Sequence, residues 1–276
     1  MDRRDFLKTA ACTACLLSMS NLRLRLERGI AGKTSVTVSP EGAWAETPEA
    51  LHEASYYEKL EHKEVRCLLC PRKCMVGDQE RGYCGVRENR LGTYYTLVYN
   101  RPCTARPDPI EKKPFYHFLP GSTALTFGML GCDFHCGYCQ NWLSSQALRD
   151  PASDESGYYI RKISPEQIVQ AARSAGAQVI ASSYNEPLIT SEWAMDIFKL
   201  AVPLGIKCVY VSNGNATPEV LDALRPYLSG MKIDLKSMQD KNYRQLGGVL
   251  QNVLDTIQRV RDMGLWLEVV TLVVPG

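Results

Sequence analysis

The sequence predicts an α/β protein: a parallel sheet of repeated strand–helix units behind a small cysteine-rich module. Three observations predict it. Beyond residue 120, short apolar runs alternate with segments of helical periodicity. Each apolar run ends in a polar turn, the place where parallel sheets put their chemistry. Seven of the 11 cysteines fall in two tight groups, a spacing that suits metal ligation better than cross-linking.

With 45% hydrophobic residues in 276, the chain can bury a sizeable core, enough for one large domain and a small one. Its net charge of +2 comes with no basic stripe, so nucleic-acid binding through phosphate neutralisation gets no support.

The first element is a targeting segment, residues 1–32. Arg3-Arg4-Asp5-Phe6-Leu7-Lys8 precede Thr9 to Ser20, an uncharged and mostly small or apolar run. A basic region followed by a short apolar one is what an export signal needs, and the arginine pair resembles the twin-arginine type. The run, about a dozen residues, is shorter than the roughly 20 of a membrane-spanning helix. A frayed amphipathic helix is the competing reading, because Leu22, Leu24 and Leu26 alternate with Arg23 and Arg25. The expectation is export, to the periplasm or the outward side of the inner membrane, and a cytoplasmic location if the segment is not used. No small-residue cleavage site stands out, so an uncleaved anchor stays open. Cys12 and Cys15 read as small apolar fillers. Residues 33–60 read as linker, with a short helix near Pro48 to Leu60.

Residues 61–115 form the cysteine-rich module. Cys67, Cys70, Cys74 and Cys84 follow a C-x2-C-x3-C-x9-C spacing, with Pro71, Gly77, Gly82 and Gly85 to turn the chain. Such knuckles hold structural zinc or a second iron–sulfur cluster, and spacing does not separate the two. A disulfide pair formed after export competes. Gly85 to Tyr99 then reads as a β-hairpin, with its turn at Asn89 to Gly92 and its second arm at Thr93 to Tyr99. Cys103 stands alone and reads as structural.

Ala124 to Leu130 is the run of a strand buried on both faces. At its C-terminal end comes Cys132-Asp-Phe-His-Cys136-Gly-Tyr138-Cys139. Three thiolates on one short loop can wrap a [4Fe–4S] cube and leave its fourth iron open for a substrate or cofactor. A zinc site with His135 as fourth ligand is sterically awkward, because His135 directly precedes Cys136. His135 is expected to shape or shield the cluster.

Downstream, Ser164-Pro165-Glu166-Gln167 is a capping box opening a helix that stops at Gly176. Gln178 to Ser183 is a strand, Ser191 to about Val202 a helix, and Ile206 to Ser212 a strand. Thr217-Pro218-Glu219 caps a helix ending near Pro226. Met231 to Leu235 is a strand, Val249 to Met263 a helix, and Leu265 to Val274 the last strand. With the strand before the cysteine loop this makes five, joined by right-handed crossovers. Three of the polar turns are Tyr184-Asn185-Glu186-Pro187, Ser212-Asn213-Gly214 and Asp234-Leu235-Lys236. On chemistry alone the first is a helix entry with a carboxylate suited to an ammonium. The second is a plain turn, and the third is an ion pair on one strand face.

C-x3-C-x2-C with Tyr138 before the last cysteine resembles the radical S-adenosylmethionine superfamily. Flanking blocks narrow the resemblance to the AmmeMemoRadiSam-system radical SAM enzymes, related to the pyruvate formate-lyase activating enzymes. They are Cys67-x2-Cys70-Pro71, Gly82-Tyr-Cys84-Gly-Val-Arg87, Asp108-Pro-Ile-Glu-Lys-Lys-Pro114, His117-Phe-Leu-Pro-Gly121 and Cys139-Gln-Asn-Trp142. The likeness runs from Arg66 to the last residue. It implies that Cys132, Cys136 and Cys139 hold the catalytic [4Fe–4S] cluster, whose open iron chelates the methionine part of S-adenosylmethionine. Electron transfer to the sulfonium then yields a 5′-deoxyadenosyl radical that abstracts hydrogen. It also implies cofactor contacts: Tyr138 beside the cluster, and Glu186 with Asn185 at the methionine amino group. Ser212, Asn213 and Gly214 line the ribose and carboxylate side, and Asp234 and Lys236 face cofactor or substrate. Glu268 and the closing Val274-Pro275-Gly276 match the family as well.

The implied fold is a partial (β/α) radical-SAM barrel over residues 116–276, with five of an expected six units read here. Family members continue past that Pro-Gly with another helix–strand unit, so the core is expected to be C-terminally incomplete. The implied partners are S-adenosylmethionine, an electron donor of the flavodoxin or ferredoxin type, and an unknown substrate. Glycyl-radical-type activation of a partner protein is one version; a small molecule or another macromolecule is equally open. The alternative from another class is a non-catalytic, exported iron–sulfur electron-transfer protein.

Overall fold

The computed structural model describes residues 51–149 and 161–273, all within one compact unit. The twin-arginine segment, Cys12, Cys15, the linker up to residue 50 and the closing Val274-Pro275-Gly276 lie outside the described residues. No described helix is long and apolar enough to cross a membrane.

Between Leu51 and Leu60 two short strands replace the expected helix: β1 (His52–Glu53) and β2 (Tyr57–Lys59). A helix this short is marginal by itself, whereas two neighbouring hairpin edges offer backbone partners. β2 pairs with β3 (Val65–Cys67), which pairs in turn with β4 (Met75–Val76), all antiparallel. The cysteine knuckle is the β3–β4 connection. The predicted hairpin is β5 (Arg87–Arg90) and β6 (Thr93–Thr96), with β1 on the far side of β6.

The main sheet begins with β7 (Thr104–Pro109) and β8 (Thr123–Gly128). The cysteine loop and a short helix, α1 (Trp142–Ser145), follow. Then come α2 (Pro165–Ser174), β9 (Val179–Ser182), α3 (Ser191–Ala201), β10 (Lys207–Ser212) and α4 (Pro218–Leu224). β11 (Gly230–Asp234), α5 (Asp240–Leu246), α6 (Leu250–Asp262) and β12 (Trp266–Val270) complete the described chain. The spatial order is β12-β11-β10-β9-β8-β7. The five predicted strands are parallel, and β7 adds antiparallel to β8. β7 escapes sequence reading because Pro107 and Pro109 argue against a strand; the sheet edge is where proline is tolerated. The short α5 was also not predicted, and the last strand ends at Val270 rather than Val274.

Local signals mostly hold. The capping box of α2 is formed: Ser164 Oγ accepts from the Gln167 N–H at 3.3 Å, and Gln167 Oε1 from the Ser164 N–H at 2.8 Å. Thr217 is a correction. Its hydroxyl does not cap α4 but donates to the carbonyls of Leu68 and Leu69 at 3.0 and 3.2 Å. It ties the helix start to the cysteine knuckle instead.

One sheet face, with Leu125, Phe127, Ile180, Tyr210, Met231 and Ile233, packs into the core shared with the helices. The other carries Ala124, Val179, Ala181 and Val209, which meet Ile110 and Phe115 from the β7–β8 connection. That connection also reaches the far edge of the sheet. The backbone N–H groups of Tyr116, His117 and Phe118 donate to the Glu268 carboxylate on β12 at 2.8, 3.1 and 3.1 Å. The sheet therefore curves enough for a segment from one edge to touch the other. Among the described residues, no ladder joins β7 to β12.

Candidate functional site

The polar turns all leave the same end of the sheet, where parallel strands finish together. From β8 the chain passes into the cysteine loop, with Cys132 and Cys136 buried and Cys139 half-buried. The Phe134 N–H points at Cys132 Sγ (3.4 Å), and Cys139 Sγ lies 3.1 Å from Ser145 Oγ on α1. Burial pushes the Cys136 thiol up to about 11 against the pull of the Lys236 ammonium, and Cys139 raises it further. Burial, Asp133 and Glu186 raise the Cys132 thiol. The three sulfurs and the turns after β9 and β11 thus share one electrostatic environment. His135 exposes its side chain, while its backbone N–H donates to Leu246 O at 2.7 Å and pins the loop to α5.

Asp133 is the residue that sequence reasoning missed. Fully buried between two candidate ligands, it accepts from Asn213 Nδ2 at 2.7 Å and from Asn215 Nδ2 at 2.9 Å. The loop after β8 is thereby clamped to the turn after β10. Glu186 forms the second clamp. It accepts from the Leu188 N–H (3.1 Å) and the Ser212 hydroxyl (2.7 Å) on one oxygen, and from the Asn213 N–H (2.7 Å) on the other. Asn185 accepts from the Met129 N–H at 3.0 Å and donates to Glu186 O at 3.2 Å. Burial and the nearby Asp133 carboxylate raise the Glu186 pKa, and its three donors oppose them. Gly214 sits at φ 77°, and a Cβ there would lie 2.8 Å from Ile233 Cγ2, so this turn admits only glycine.

Asp234 and Lys236 pair at 3.2 Å, and Lys232 on the same strand also pairs with Asp234. Burial alone would lower the Lys236 pKa; Asp234 and Cys136 raise it on balance. Tyr138 is 41% exposed at the rim of the loop.

The structure therefore brings together Cys132, Cys136, Cys139, Tyr138, Asn185, Glu186, Ser212, Asn213, Gly214, Asp234 and Lys236. In the second cysteine group, Cys67, Cys70 and Cys74 lie at the β3–β4 knuckle and Cys84 between β4 and β5. Cys67, Cys70 and Cys84 are buried and Cys74 is half-buried, all as free thiols. The Cys67 N–H donates to Cys74 O at 2.9 Å. Burial pushes the Cys84 thiol up to about 12, with Cys67 and Cys74 adding to the effect. Cys70 is raised by burial and next by Asp133 of the cysteine loop, so this knuckle lies against that loop.

Among the described residues, no group of three or more His, Cys, Asp or Glu side chains is arranged around a single metal ion. An iron–sulfur cube spreads its ligands over separate irons. Three thiols from one loop, two of them buried, fit that demand.

The family model of the Radical SAM superfamily matches residues 127–276, more than half of the chain. An uncharacterised protein of Methanocaldococcus jannaschii is 37% identical over 226 residues, which is 82% of this chain. The chain spans 66% of that relative's length. QueE from Escherichia coli aligns with a TM-score of 0.36 and 10% identity, over 63% of this chain and 94% of that one.

Proposed function

Because the chain belongs to the radical SAM superfamily, we propose that it is an enzyme that cleaves S-adenosylmethionine reductively, with Cys132, Cys136 and Cys139 holding a [4Fe–4S] cluster. The observation that carries the proposal is the double clamp of Asp133 and Glu186, which ties the turns after β9 and β10 to each other and to the loop that bears the three thiols. A [4Fe–4S] cluster held there would supply the electron for reductive cleavage of S-adenosylmethionine, and the cofactor would supply the hydrogen-abstracting chemistry.

The chain's own residues position and shield. Glu186 uses three acceptor positions on internal donors, and a carboxylate offers about four. The fourth is available to the methionine ammonium, a charge partner that would offset the cost of burying the carboxylate. Gly214 lets the turn after β10 pass close to the ligand, with Ser212 and Asn213 beside it. Asp234 holds Lys236 near Cys136, where its positive charge favours the thiolate that iron requires. Tyr138, exposed at the rim of the loop, would cover the cluster at its solvent side.

The finer reading rests on the flanking blocks. It takes the chain as an AmmeMemoRadiSam-type, activating-enzyme-like oxidoreductase built as a partial barrel. Electrons would come from a flavodoxin or ferredoxin, and the hydrogen donor could be a glycyl residue of a partner protein. Cys67, Cys70, Cys74 and Cys84 would hold zinc or a second cluster, and the twin-arginine segment would direct export.

The test is anaerobic reconstitution with iron and sulfide, followed by EPR with and without S-adenosylmethionine. We expect one cluster to be lost in the Cys132→Ala/Cys136→Ala/Cys139→Ala variant, and the wild-type signal to change when S-adenosylmethionine is added. An unchanged signal would sink the proposal. A cluster persisting in the variant would assign iron–sulfur to Cys67–Cys84; none would favour zinc or a disulfide there.

A further inference from the structure

The Asp108-Pro-Ile-Glu-Lys-Lys block takes no part in the cluster site, yet it builds a second charged constellation. On Asp108, Oδ1 accepts from Lys112 Nζ (3.2 Å), and Oδ2 accepts from Lys113 Nζ (3.0 Å) and Arg106 Nε (3.1 Å). The Tyr184 hydroxyl joins them. It accepts from Lys113 Nζ at 2.8 Å and Arg106 Nε at 3.2 Å, and donates to Asp108 Oδ2 at 3.2 Å. One carboxylate thus answers three cations, leaving two positive charges in excess. The arrangement is rooted inside and open outside, with Lys113 3% and Arg106 44% exposed at the side chain.

Two further observations point to a ligand. Thr126 stands opposite Arg106 across the β7–β8 ladder, and its fully buried hydroxyl is one of nine buried side-chain polar atoms without a hydrogen-bond partner among the described residues. Buried polar atoms without partners are rare and ask for an explanation. Arg106 uses only Nε, and its two terminal nitrogens donate to nothing among the described residues. Tyr184 connects this place to the cofactor segment, because it directly precedes Asn185 and Glu186. It is held at φ 75°, a region costly for a bulky residue. Gly128 makes the room: a Cβ there would lie 2.7 Å from Tyr184 Cδ2.

We propose that Arg106, Lys113, Tyr184 and Thr126 form the subsite for an oxyanion, a carboxylate or phosphate, on the substrate. Arg106 reads it through its two terminal nitrogens in the fork geometry that suits such groups. The role as a substrate subsite rests on the radical reading above; the anion site itself does not.

The test is calorimetric titration of the anaerobically reconstituted full chain with inorganic phosphate and with succinate, at ionic strength held constant with chloride. Saturable binding of at least one is expected, weakened about tenfold by Arg106→Gln. Thr126→Val should weaken it less, with an unchanged melting temperature, and Lys199→Gln on the surface of α3 not at all. Tighter phosphate binding would mark a phosphorylated substrate, and tighter succinate binding a carboxylate. No saturable binding of either anion, or equal affinity in wild type and Arg106→Gln, would overturn the subsite. S-adenosylmethionine cleavage measured on the same samples separates the two claims. Cleavage without anion binding overturns the subsite alone, whereas anion binding that depends on Arg106 but comes without cleavage supports the subsite and overturns the radical reading.

Discussion

Asp133 occupies the most constrained position in the cysteine loop, because both of its oxygens are committed to amides on a different turn. Asp133→Ala strands two buried amide donors, each costing about 1–3 kcal/mol. The chain should lose about 3 kcal/mol in urea unfolding, and an unchanged midpoint would contradict the clamp. The three cysteines were legible because they stand on a single loop, so their spacing shows directly in the sequence. Asp133 was not, since its partners stand 80 and 82 residues away and a lone Asp beside a Cys reads as a solvated loop residue. Glu186 stands in the turn after β9, and its partners are the Leu188 and Asn213 N–H groups and the Ser212 hydroxyl.

Among the elements, the cysteine-rich hairpins are joined to the main sheet's helices by a buried ion pair. Arg87 on β5 meets Glu192 on α3 with Nη2 2.6 and 2.5 Å from its two oxygens, both side chains almost fully enclosed. Arg87 also donates to Ile189 O and Ser55 O, each at 3.2 Å. Removing one partner leaves a buried charge uncompensated, so Glu192→Ala should cost about 3–5 kcal/mol. The double replacement Arg87→Met/Glu192→Leu should recover most of that in the same unfolding assay. A double variant no better than the single one would show that the pair stabilises by more than mutual neutralisation. The strands and helices themselves were mostly readable from capping, apolar runs and turn residues, which are local. The helix expected near Pro48 to Leu60 failed because neighbouring strands compete for that backbone. β7 was missed because proline is excluded from sheet interiors but not from edges.

At the scale of the molecule, Glu268 lets the β7–β8 connection hold the opposite edge strand. Burial alone would raise its carboxyl; the N–H groups of Tyr116, His117 and Phe118 and the Trp266 indole outweigh this and hold it below the usual carboxylate range. A carboxyl lowered in the folded state contributes stability above its unfolded pKa, about 4.3, and loses it as pH falls through the folded value. Glu268→Gln should therefore cost about 1–3 kcal/mol at neutral pH, and the gap should close as wild type is titrated below about pH 4. Urea midpoints at both pH values check this, and a gap constant with pH would refute it. By itself the sequence determined the α/β class, the five parallel strands, and which turns carry cysteines, carboxylates and amides. These follow from local periodicity and from ligand spacing within one loop. Only the tertiary structure decided that the turns after β8, β9 and β10 are tied through two buried carboxylates, and that a segment from one sheet edge reaches the other. Those contacts join residues far apart in the chain, and their geometry comes from the twist and curvature of the sheet, which no local pattern encodes.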